Sequence, residues 1–544
     1  MSLTKLLLGG RFGGLSSFFS IAYMAAFLPL ALIGFSIVPK RAKKYFLLIA
    51  SYGFFWLISG KLLAYLLLST MSIHYFGLWL ARIQGKRDLA VKAVPREERK
   101  AVKAAYQRQM RGVLWLAVLL HIGGLLALKY TPFFAKNFNS LLTALNISFQ
   151  LQIPKYALPI GISFFTLQAV SYILDVYRGT IPADDNLGRL ALFMSFFPQI
   201  VEGPICRYSQ TADALWNVGP IQYDILRLGV WRILYGMLKK VVVADRLNAA
   251  VGIVFGNYAS YSGGIIALAA LMYTVQLYMD FFGSMDAVIG VGQILGVKMP
   301  ENFLRPFFSR NISEFWKRWH ATLGTWFKDY VFYPVTMSGP MKRLTSSARK
   351  KLGNHFGPLS AGGIALFRVW FFNGLWHGAA WNYILFGMYH FVLILSASLF
   401  APLTQKVNKA LRIRPESRGF AVFQMLRTGI LVVIGEMFFR AEGLRACGGM
   451  LSRLIAKFEF TPLNAEMLKS LHLDAQDLII TGITLLIVLA VSILNERGIA
   501  VREWLKKRRT VVRWAILYAM ILYIVLFGAY GKNYLPVDPM YAFF

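Results

Sequence analysis

Long apolar runs alternate with short basic stretches along the whole chain. A helix needs about 20 mainly apolar residues to cross a bilayer, and many runs approach that length. The runs are 18–38, 62–80, 113–128, 265–279, 382–400, 420–439, 478–494 and 512–528. This pattern predicts an all-α, polytopic membrane protein.

The first apolar run is expected to remain in the protein as a spanning helix. It is longer than the apolar core of a signal peptide and lacks a small-residue cleavage site. It also leads directly into the basic residues of 39–44.

Basic residues collect between the apolar runs and give the chain a net charge of +34. Lysine and arginine mark cytoplasmic loops in membrane proteins, so the basic stretches are expected inside. They are 39–44, 81–112, 404–418 and 497–513. We therefore expect the loop 130–157 and the tail, about 530–544, on the outer face. This distribution argues against nucleic-acid binding and favours contact with anionic membrane lipid.

The middle of the chain does not follow the simple pattern. Residues 301–335 are too charged to span as one helix, and 340–357 is expected to be a basic, polar loop. We expect broken or re-entrant helices here, which a membrane tolerates where they are buried in protein or line a wet cavity. No repeat of 20–50 residues supports a solenoid or a duplicated transporter fold.

Composition agrees with a membrane protein, because only 15% of residues are charged and 57% are hydrophobic. Soluble domains carry roughly 25% charged residues. The two cysteines, Cys206 and Cys447, have no metal-ligand spacing, so neither a disulfide framework nor a metal site is predicted. Cys206 is a candidate nucleophile, but a small buried residue is the favoured interpretation.

Two histidines stand out by their surroundings. The segment 311–335 has helical periodicity and predicts an amphipathic interfacial helix with His320 at the edge of its aromatic stripe. His377 lies in "FFNGLWHGAAW" (371–381), where glycines allow close approach and tryptophans form rigid walls. A neutral imidazole in an apolar site can act as a general base. The alternative is a packed histidine that a neighbouring helix satisfies.

The other five histidines are expected to be structural. His74, His121, His355 and His472 are interpreted as surface or interface residues. His390 lies deep in an apolar run and is expected to hydrogen-bond a neighbouring backbone.

Seven segments in order along the chain carry a resemblance to a known family. They are "LPIGISFFTLQAVSYILDVYRG" (158–179), "FFPQIVEGPICRY" (196–208), "KKVVVADRL" (239–247), "QLYMDFFGSMDAVIG" (276–290), "PENFLRPF" (300–307), "FWKRWHATLGTWFKDYVFYP" (315–334) and "NGLWHGAAWN" (373–382). Together they resemble the membrane-bound O-acyltransferase (MBOAT) family, in its bacterial alginate O-acetyltransferase-like branch. The resemblance runs from about residue 20 to the C-terminus.

The resemblance implies a helical fold with a funnel or tunnel and two functional histidines. These map to His377 in "GLWHG" and His320 in "RWH". Further tunnel or substrate-binding candidates in the motifs are Asp280, Asn302, Trp319, Asn373, Trp376 and Trp381. Family members pass an acyl group from a cytoplasmic donor toward an extracytoplasmic polymer, usually with a secreted or anchored esterase-like partner.

The chain departs from the family pattern at a few positions. Phe282 and Met285 stand where serines are usual, and Ser284 stands where a tyrosine is usual. These changes bear on the polarity of the tunnel. Glu202 replaces a small apolar residue and bears on access or donor preference.

The C-terminal "MYAFF" resembles a short aromatic ending in which a tyrosine is proposed to carry the acyl group. Here that residue is Tyr541. A phenol has a pKa of about 10, so its ester remains transferable. The alternative is a tyrosine of the interfacial aromatic belt.

These observations predict one membrane-embedded acyltransferase domain, 1–544, in a bacterial cytoplasmic membrane. Its function would be O-acetylation of an exopolysaccharide or peptidoglycan. The donor would be acetyl-CoA or a carrier-bound acyl group, with no bound cofactor. His377 would be the general base, and His320 would orient the donor or the second proton. The alternatives are D-alanyl transfer to teichoic acid, a solute transporter or channel, and a lipid acyltransferase.

Overall fold

The computed structural model describes residues 17–530 and residue 537. All regular secondary structure in this part of the chain is helical. Within these described residues, seven helical segments are long and apolar enough to cross a membrane, and one of them, Lys40–Ala93, contains two consecutive helices. The prediction of an all-α, multi-pass membrane protein is therefore confirmed.

The helices are numbered in chain order. The first ten are α1 (Ala22–Ile37), α2 (Lys43–Ser59), α3 (Leu63–Ala93), α4 (Arg99–Ala144), α5 (Ile162–Arg178), α6 (Leu187–Ser195), α7 (Tyr208–Trp216), α8 (Tyr223–Met237), α9 (Asp245–Gly256) and α10 (Gly263–Ile294). The others are α11 (Ile312–Arg318), α12 (Ala321–Phe327), α13 (Gly339–His377), α14 (Trp381–Leu399), α15 (Ala401–Ala410), α16 (Arg418–Arg440), α17 (Gly443–Ala456), α18 (Ala465–Ser470), α19 (Ala475–Glu496), α20 (Val501–Lys506) and α21 (Thr510–Phe527).

Helices extend beyond the apolar runs that predicted them. The basic stretch 81–112 was expected to be a loop, but α3 continues to Ala93 and α4 starts at Arg99. The expectation was wrong because lysine, arginine and glutamate are good helix formers, so a helix does not end where hydropathy falls. Helix α4 also occupies much of the expected loop 130–157, since it ends only at Ala144.

The stretch 340–357 is also helical and not a loop. It forms the first part of α13, which is interrupted at Gly353 (φ 80°). Only glycine adopts this backbone conformation without a steric cost, so Gly353 allows the change of direction.

The expected continuous helix over 311–335 is broken. Trp319 is extended and His320 is left-handed, and together they separate α11 from α12. A π-helical turn, Lys328–Phe332, interrupts the segment again. The prediction of broken helices in the middle of the chain is confirmed, while the single amphipathic helix is wrong. Contacts from residues distant in sequence stabilise the break, and periodicity does not report them.

The chain forms two compact units, each built from separated stretches. Among the described residues, the first comprises 17–230 and 288–300, and the second comprises 231–287, 301–530 and 537. In the first unit Arg189 donates two hydrogen bonds of 2.7 Å to the buried carboxylate of Asp184. The Tyr172 hydroxyl accepts one from the Asp184 backbone N–H at 2.8 Å.

In the second unit α13 and α14 pack at unusually close range. A Cβ at Gly374 would lie 2.5 Å from the carbonyl oxygen of Tyr383, and one at Gly387 would lie 2.3 Å from that of Trp370. Small residues permit such backbone approach, and van der Waals contact then holds helices together in lipid. This packing positions the C-terminal end of α13, where His377 lies.

Both cysteines are reduced and buried. Burial raises the pKa of the Cys206 thiol to about 12, so it stays protonated near neutral pH. The structure therefore gives no support to Cys206 as a nucleophile.

Candidate active site

His320 lies at the break between α11 and α12 with a left-handed backbone (φ 45°, ψ 49°). This conformation costs a non-glycine residue on the order of 1–2 kcal/mol, so other contacts must stabilise it. Two backbone hydrogen bonds do so, from the Leu304 N–H to the Arg318 carbonyl (2.8 Å) and from the Ala321 N–H to the Asn302 carbonyl (2.9 Å).

The side chain of Asn302 orients the His320 ring. Its Oδ1 accepts hydrogen bonds from His320 Nδ1 (2.9 Å), the Thr322 N–H (3.2 Å) and Thr322 Oγ1 (2.8 Å). A backbone N–H can only donate, so the atom facing Thr322 must be the amide oxygen and not its nitrogen. An oxygen acceptor requires the hydrogen of a neutral His320 ring to be on Nδ1, which leaves the lone pair on Nε2.

His320 is neutral near physiological pH. The ring is buried, and burial, followed by the nearby His377, lowers its pKa well below the usual value. Both causes disfavour the imidazolium, since it would lose hydration and lie near a second imidazole.

His377 is the last residue of α13 and is also buried. The helix ends there because Gly378 is extended and donates a hydrogen bond back to the Leu375 carbonyl at 3.1 Å. The ring centroid of His377 lies 5.1 Å from that of Phe439 and 5.9 Å from that of Phe386.

Trp376 brings the two predicted histidines together. Its ring centroid lies 5.9 Å from that of His320 and 5.1 Å from that of His377. Phe281 packs edge-on against the His320 ring at 4.9 Å. Two buried imidazoles, one with its tautomer set by an amide, therefore share an aromatic environment.

Comparison with known proteins supports the resemblance carried by the motifs. The family model of the membrane-bound O-acyltransferases matches residues 184–434. A probable alginate O-acetylase AlgI of Pseudomonas putida is 31% identical over 474 residues, covering 86% of this chain and 86% of that protein. The chain belongs to the membrane-bound O-acyltransferase family.

Two further relatives show the range of named activities around this acyltransferase. The peptidoglycan O-acetyltransferase of Helicobacter pylori is 27% identical over 461 residues, or 80% of this chain and 78% of the relative. The teichoic acid D-alanyltransferase of Bacillus subtilis is 31% identical over 289 residues, or 52% of this chain and 69% of the relative.

The other predicted site residues of the acyltransferase are in different environments. Asp280 is buried in an ion pair with Lys240, at 2.9 Å. The ring centroid of Trp319 lies 5.0 Å from that of Phe303 and 5.4 Å from that of Phe315. Phe303 in turn lies 5.1 Å from Phe281, so this aromatic cluster adjoins the ring packed on His320.

The remaining candidates flank His377. Asn373 is buried, and within the described part of the chain its Oδ1 has no hydrogen-bond partner. Trp381 starts α14, and its side chain is 48% exposed.

His390 of the acyltransferase is in a different environment from the one its sequence context predicts. It is fully buried, and neither ring nitrogen has a hydrogen-bond partner among residues 17–530 and 537, so the expected backbone bond is wrong. Trp316, Trp370 and Phe386 surround the ring, with centroids 4.8, 5.3 and 4.8 Å away. Its position inside an apolar run was the available signal.

Two of the histidines interpreted as surface or interface residues are buried instead. His74 lies in α3 and His121 in α4, where the Ala117 carbonyl accepts a hydrogen bond from His121 Nδ1 at 2.8 Å. Both residues lie within apolar runs, 62–80 and 113–128, and helix packing in the first unit buries their rings. His355 and His472 are exposed, as expected.

A buried ionic network also lay outside the sequence-based prediction. Arg232 Nε donates to Asp286 Oδ1 at 2.8 Å, and Lys239 pairs with the other oxygen of the same carboxylate. The Lys239 ammonium lies 3.1 Å from the ring centroid of Phe282, which stands where the family usually has serine. Charged residues within apolar segments were the signal that could have found it.

The C-terminal segment is held by the same part of the second unit. The Val537 N–H donates to Asp245 Oδ1 at 2.7 Å, and Lys240 Nζ donates to the Val537 carbonyl at 2.8 Å. The Ala529 N–H donates to the Val241 carbonyl at 2.9 Å. Tyr541, the predicted acyl carrier, lies outside the described residues.

Proposed function

We propose that this acyltransferase takes an acetyl group from a cytoplasmic donor and delivers it across the bacterial cytoplasmic membrane for O-acetylation of an exopolysaccharide or peptidoglycan. The observation that carries the proposal is the pair of buried imidazoles, His320 and His377, packed against Trp376. Two relatives that cover most of this chain are named for acetyl transfer.

In the proposed reaction His377 is the general base. It takes the proton of an acceptor hydroxyl as the oxygen attacks the carbonyl carbon of a thioester. The carbon–sulfur bond then breaks, the thiol leaves with the proton, and an oxygen ester remains. His320, neutral and hydrogen-bonded to Asn302 through Nδ1, orients the donor or handles the second proton through Nε2.

The donor in this proposal is acetyl-CoA or a carrier-bound acyl group, which acts as a substrate. It would approach from the basic cytoplasmic side of the chain. No resident cofactor takes part. The partner is a secreted or membrane-anchored esterase-like protein that completes transfer to the polysaccharide.

Tyr541 is the proposed first acceptor of the acetyl group. The hydrogen bonds of the Val537 backbone to Asp245 and Lys240, here called the clamp, support this step. They fix the position of the chain four residues before Tyr541. Four residues span at most about 14 Å, so the clamp limits where the phenol can go.

D-alanyl transfer to teichoic acid is the second candidate. It is favoured by the identity to the Bacillus subtilis relative, although the match covers only 52% of this chain. The same two histidines would serve, since only the acyl group and the polymer change.

An ester census of the cell envelope tests the proposal. Mild base would release esters from polysaccharide fractions of the wild type, a deletion strain, and the deletion strain carrying His377→Ala. His355→Ala is the matched control, because His355 is exposed on the same helix. Membrane levels of each variant would be measured by immunoblot.

Acetate lost from one polymer in the deletion and His377→Ala strains, but retained with His355→Ala, is the expected result. Loss of D-alanine instead would establish the second candidate. Full acetylation in the His377→Ala strain would overturn the assignment of the base.

A further inference from the structure

The five residues Glu301–Arg305, here called the strap, have no regular secondary structure and lie along the break that contains His320. The middle of the strap makes the contacts that define the break. The Asn302 side chain accepts a hydrogen bond from the His320 ring, and the Leu304 N–H donates one to the Arg318 carbonyl.

The first end of the strap is tied to α8. Arg232 donates from Nη1 to Glu301 Oε1 at 2.8 Å and from Nη2 to Glu301 Oε2, which makes a two-pronged pair. The same guanidinium donates from Nε to Asp286 on α10. Its side chain is only 5% exposed, so Arg232 has little freedom to move. Asn302 is the next residue after this anchor.

The second end is tied to α19. Arg305 pairs with the carboxylate of Glu496, the last residue of that helix. Arg318, at the end of α11, donates to the same carboxylate at 2.9 Å. Glu496 thus forms ion pairs with both the strap, at Arg305, and the helix that precedes His320, at Arg318. Arg305 also has a left-handed backbone (φ 54°), which the pair helps to hold.

The two ties are partly exposed, since the side chain of Glu301 is 43% exposed and that of Glu496 is 29% exposed. Solvent screens such ion pairs, so they add little stability. An arginine–carboxylate pair can nevertheless fix the orientation of the two side chains, because the planar guanidinium contacts both carboxylate oxygens in one orientation. The pair at Glu301 is of this two-pronged kind, whereas Arg305 contacts Glu496 through Nε. Together the two ties restrict the three residues between them. The most constrained of these is Asn302, which sets the His320 tautomer.

We propose that the strap is a positioning device for His320, and that Arg232 and Glu496 are positioning residues which keep its Nδ1 protonated and its Nε2 lone pair directed to the reaction. The functional part of this inference rests on the role proposed for His320 above. Small displacements of a reacting group lower rates steeply, by about a hundredfold for 1 Å. Loosening either tie would therefore reduce transfer without removing a catalytic group.

The test uses the full-length protein in detergent with ¹⁵N-labelled histidine. Imidazole nitrogen shifts distinguish the two neutral tautomers, and comparison with His320→Gln identifies the signal of this ring. Wild type should show one tautomer, protonated at Nδ1. Glu301→Ala should show a mixture, and Glu301→Gln, which keeps one acceptor for Arg232, should show a smaller change.

Acetylation measured by the ester census should fall roughly fivefold or more in Glu301→Ala and in Glu496→Ala. Arg232→Lys should also differ from the wild type in acetylation and in the His320 signal, because an ammonium cannot make the two-pronged contact. Asp184→Asn is the matched control. It weakens a two-pronged arginine pair in the first unit and should leave the His320 signal unchanged.

The proposal that the strap positions His320 would be overturned by an unchanged His320 signal in folded Glu301→Ala. A shift of equal size in Asp184→Asn would overturn it too. A shifted tautomer with full acetylation would overturn its part in transfer. If Glu301→Ala does not fold, Glu301→Gln decides by the same criteria. Full acetylation in His320→Gln would instead overturn the proposed role of His320, independently of what the strap does to the ring.

Discussion

Oδ1 of Asn302 accepts a hydrogen bond from Nδ1 of His320 at 2.9 Å, across eighteen residues of sequence. The same oxygen accepts two hydrogen bonds from Thr322. One buried amide therefore joins the "PENF" motif to the "RWH" motif and decides which nitrogen of the histidine has a lone pair.

Replacing Asn302 by alanine should lower acyl transfer by about a hundredfold, because His320 loses the acceptor that sets its tautomer. Thr322→Val is the comparison variant. It removes one hydroxyl bond to the amide, costs about 1 kcal/mol of stability, and leaves the Asn302–His320 bond in place. Ester release at matched protein levels measures both. Equal activity in the two variants would contradict this role of Asn302.

The pH dependence of transfer should lack an acid limb from His320 near pH 6.5. Burial lowers the pKa of this imidazole, so the ring stays neutral as the pH falls through the usual histidine value and gains a proton only at lower pH. His320 signals in ¹⁵N spectra between pH 5.5 and 8 should therefore remain those of the neutral ring. A transition centred near 6.5 would show that the ring is solvated.

Gly374→Ala should destabilise the protein by roughly 1–3 kcal/mol, because the new Cβ would lie 2.5 Å from the Tyr383 carbonyl oxygen and force α13 and α14 apart. Gly363→Ala, on the same helix, meets nothing closer than Leu395 Cδ1 at 3.5 Å and should be neutral or slightly stabilising. Thermal unfolding in detergent distinguishes them. Similar melting temperatures for both variants would exclude close packing as the function of Gly374.

Asp286→Asn should destabilise the second unit by about 3–5 kcal/mol, since it leaves the buried cations Lys239 and Arg232 without their shared carboxylate. Adding Lys239→Met should recover part of the loss, because one uncompensated charge is then removed. Chemical unfolding of the single and double variants measures the coupling. A double variant less stable than Asp286→Asn would contradict the explanation.

Asp245→Ala should release the C-terminal segment, because the Val537 N–H loses its acceptor. The clamp uses backbone atoms, so a Val537→Cys reporter keeps it intact. Maleimide labelling of that cysteine should become about tenfold faster with Asp245→Ala. Cys206 and Cys447 are buried and give little background. Asp224→Ala, at an exposed site on α8, should leave the rate unchanged.

The sequence alone was sufficient for the class of protein and for much of the fold. All eight apolar runs fall on helices, because hydropathy measures the transfer of a segment into lipid and needs no knowledge of its neighbours. The motifs were sufficient to identify the family, and they also singled out His320 and His377. Hydropathy did not predict where the helices end. The charged stretches 81–93 and 339–352 follow or precede apolar segments, but their residues also favour helix.

Tertiary structure alone decided how the site is built. The periodicity of 311–335 predicted one helix, but the Asn302 carbonyl accepts a hydrogen bond from Ala321 and the Leu304 N–H donates one to Arg318. These bonds stabilise a left-handed His320 that no local preference would select. The packing of His320 and His377 against one indole depends on residues more than fifty positions apart. Sequence patterns report local preference and burial, whereas a tautomer, a strap and a buried ion network arise from pairings between distant residues, and only the folded chain determines these.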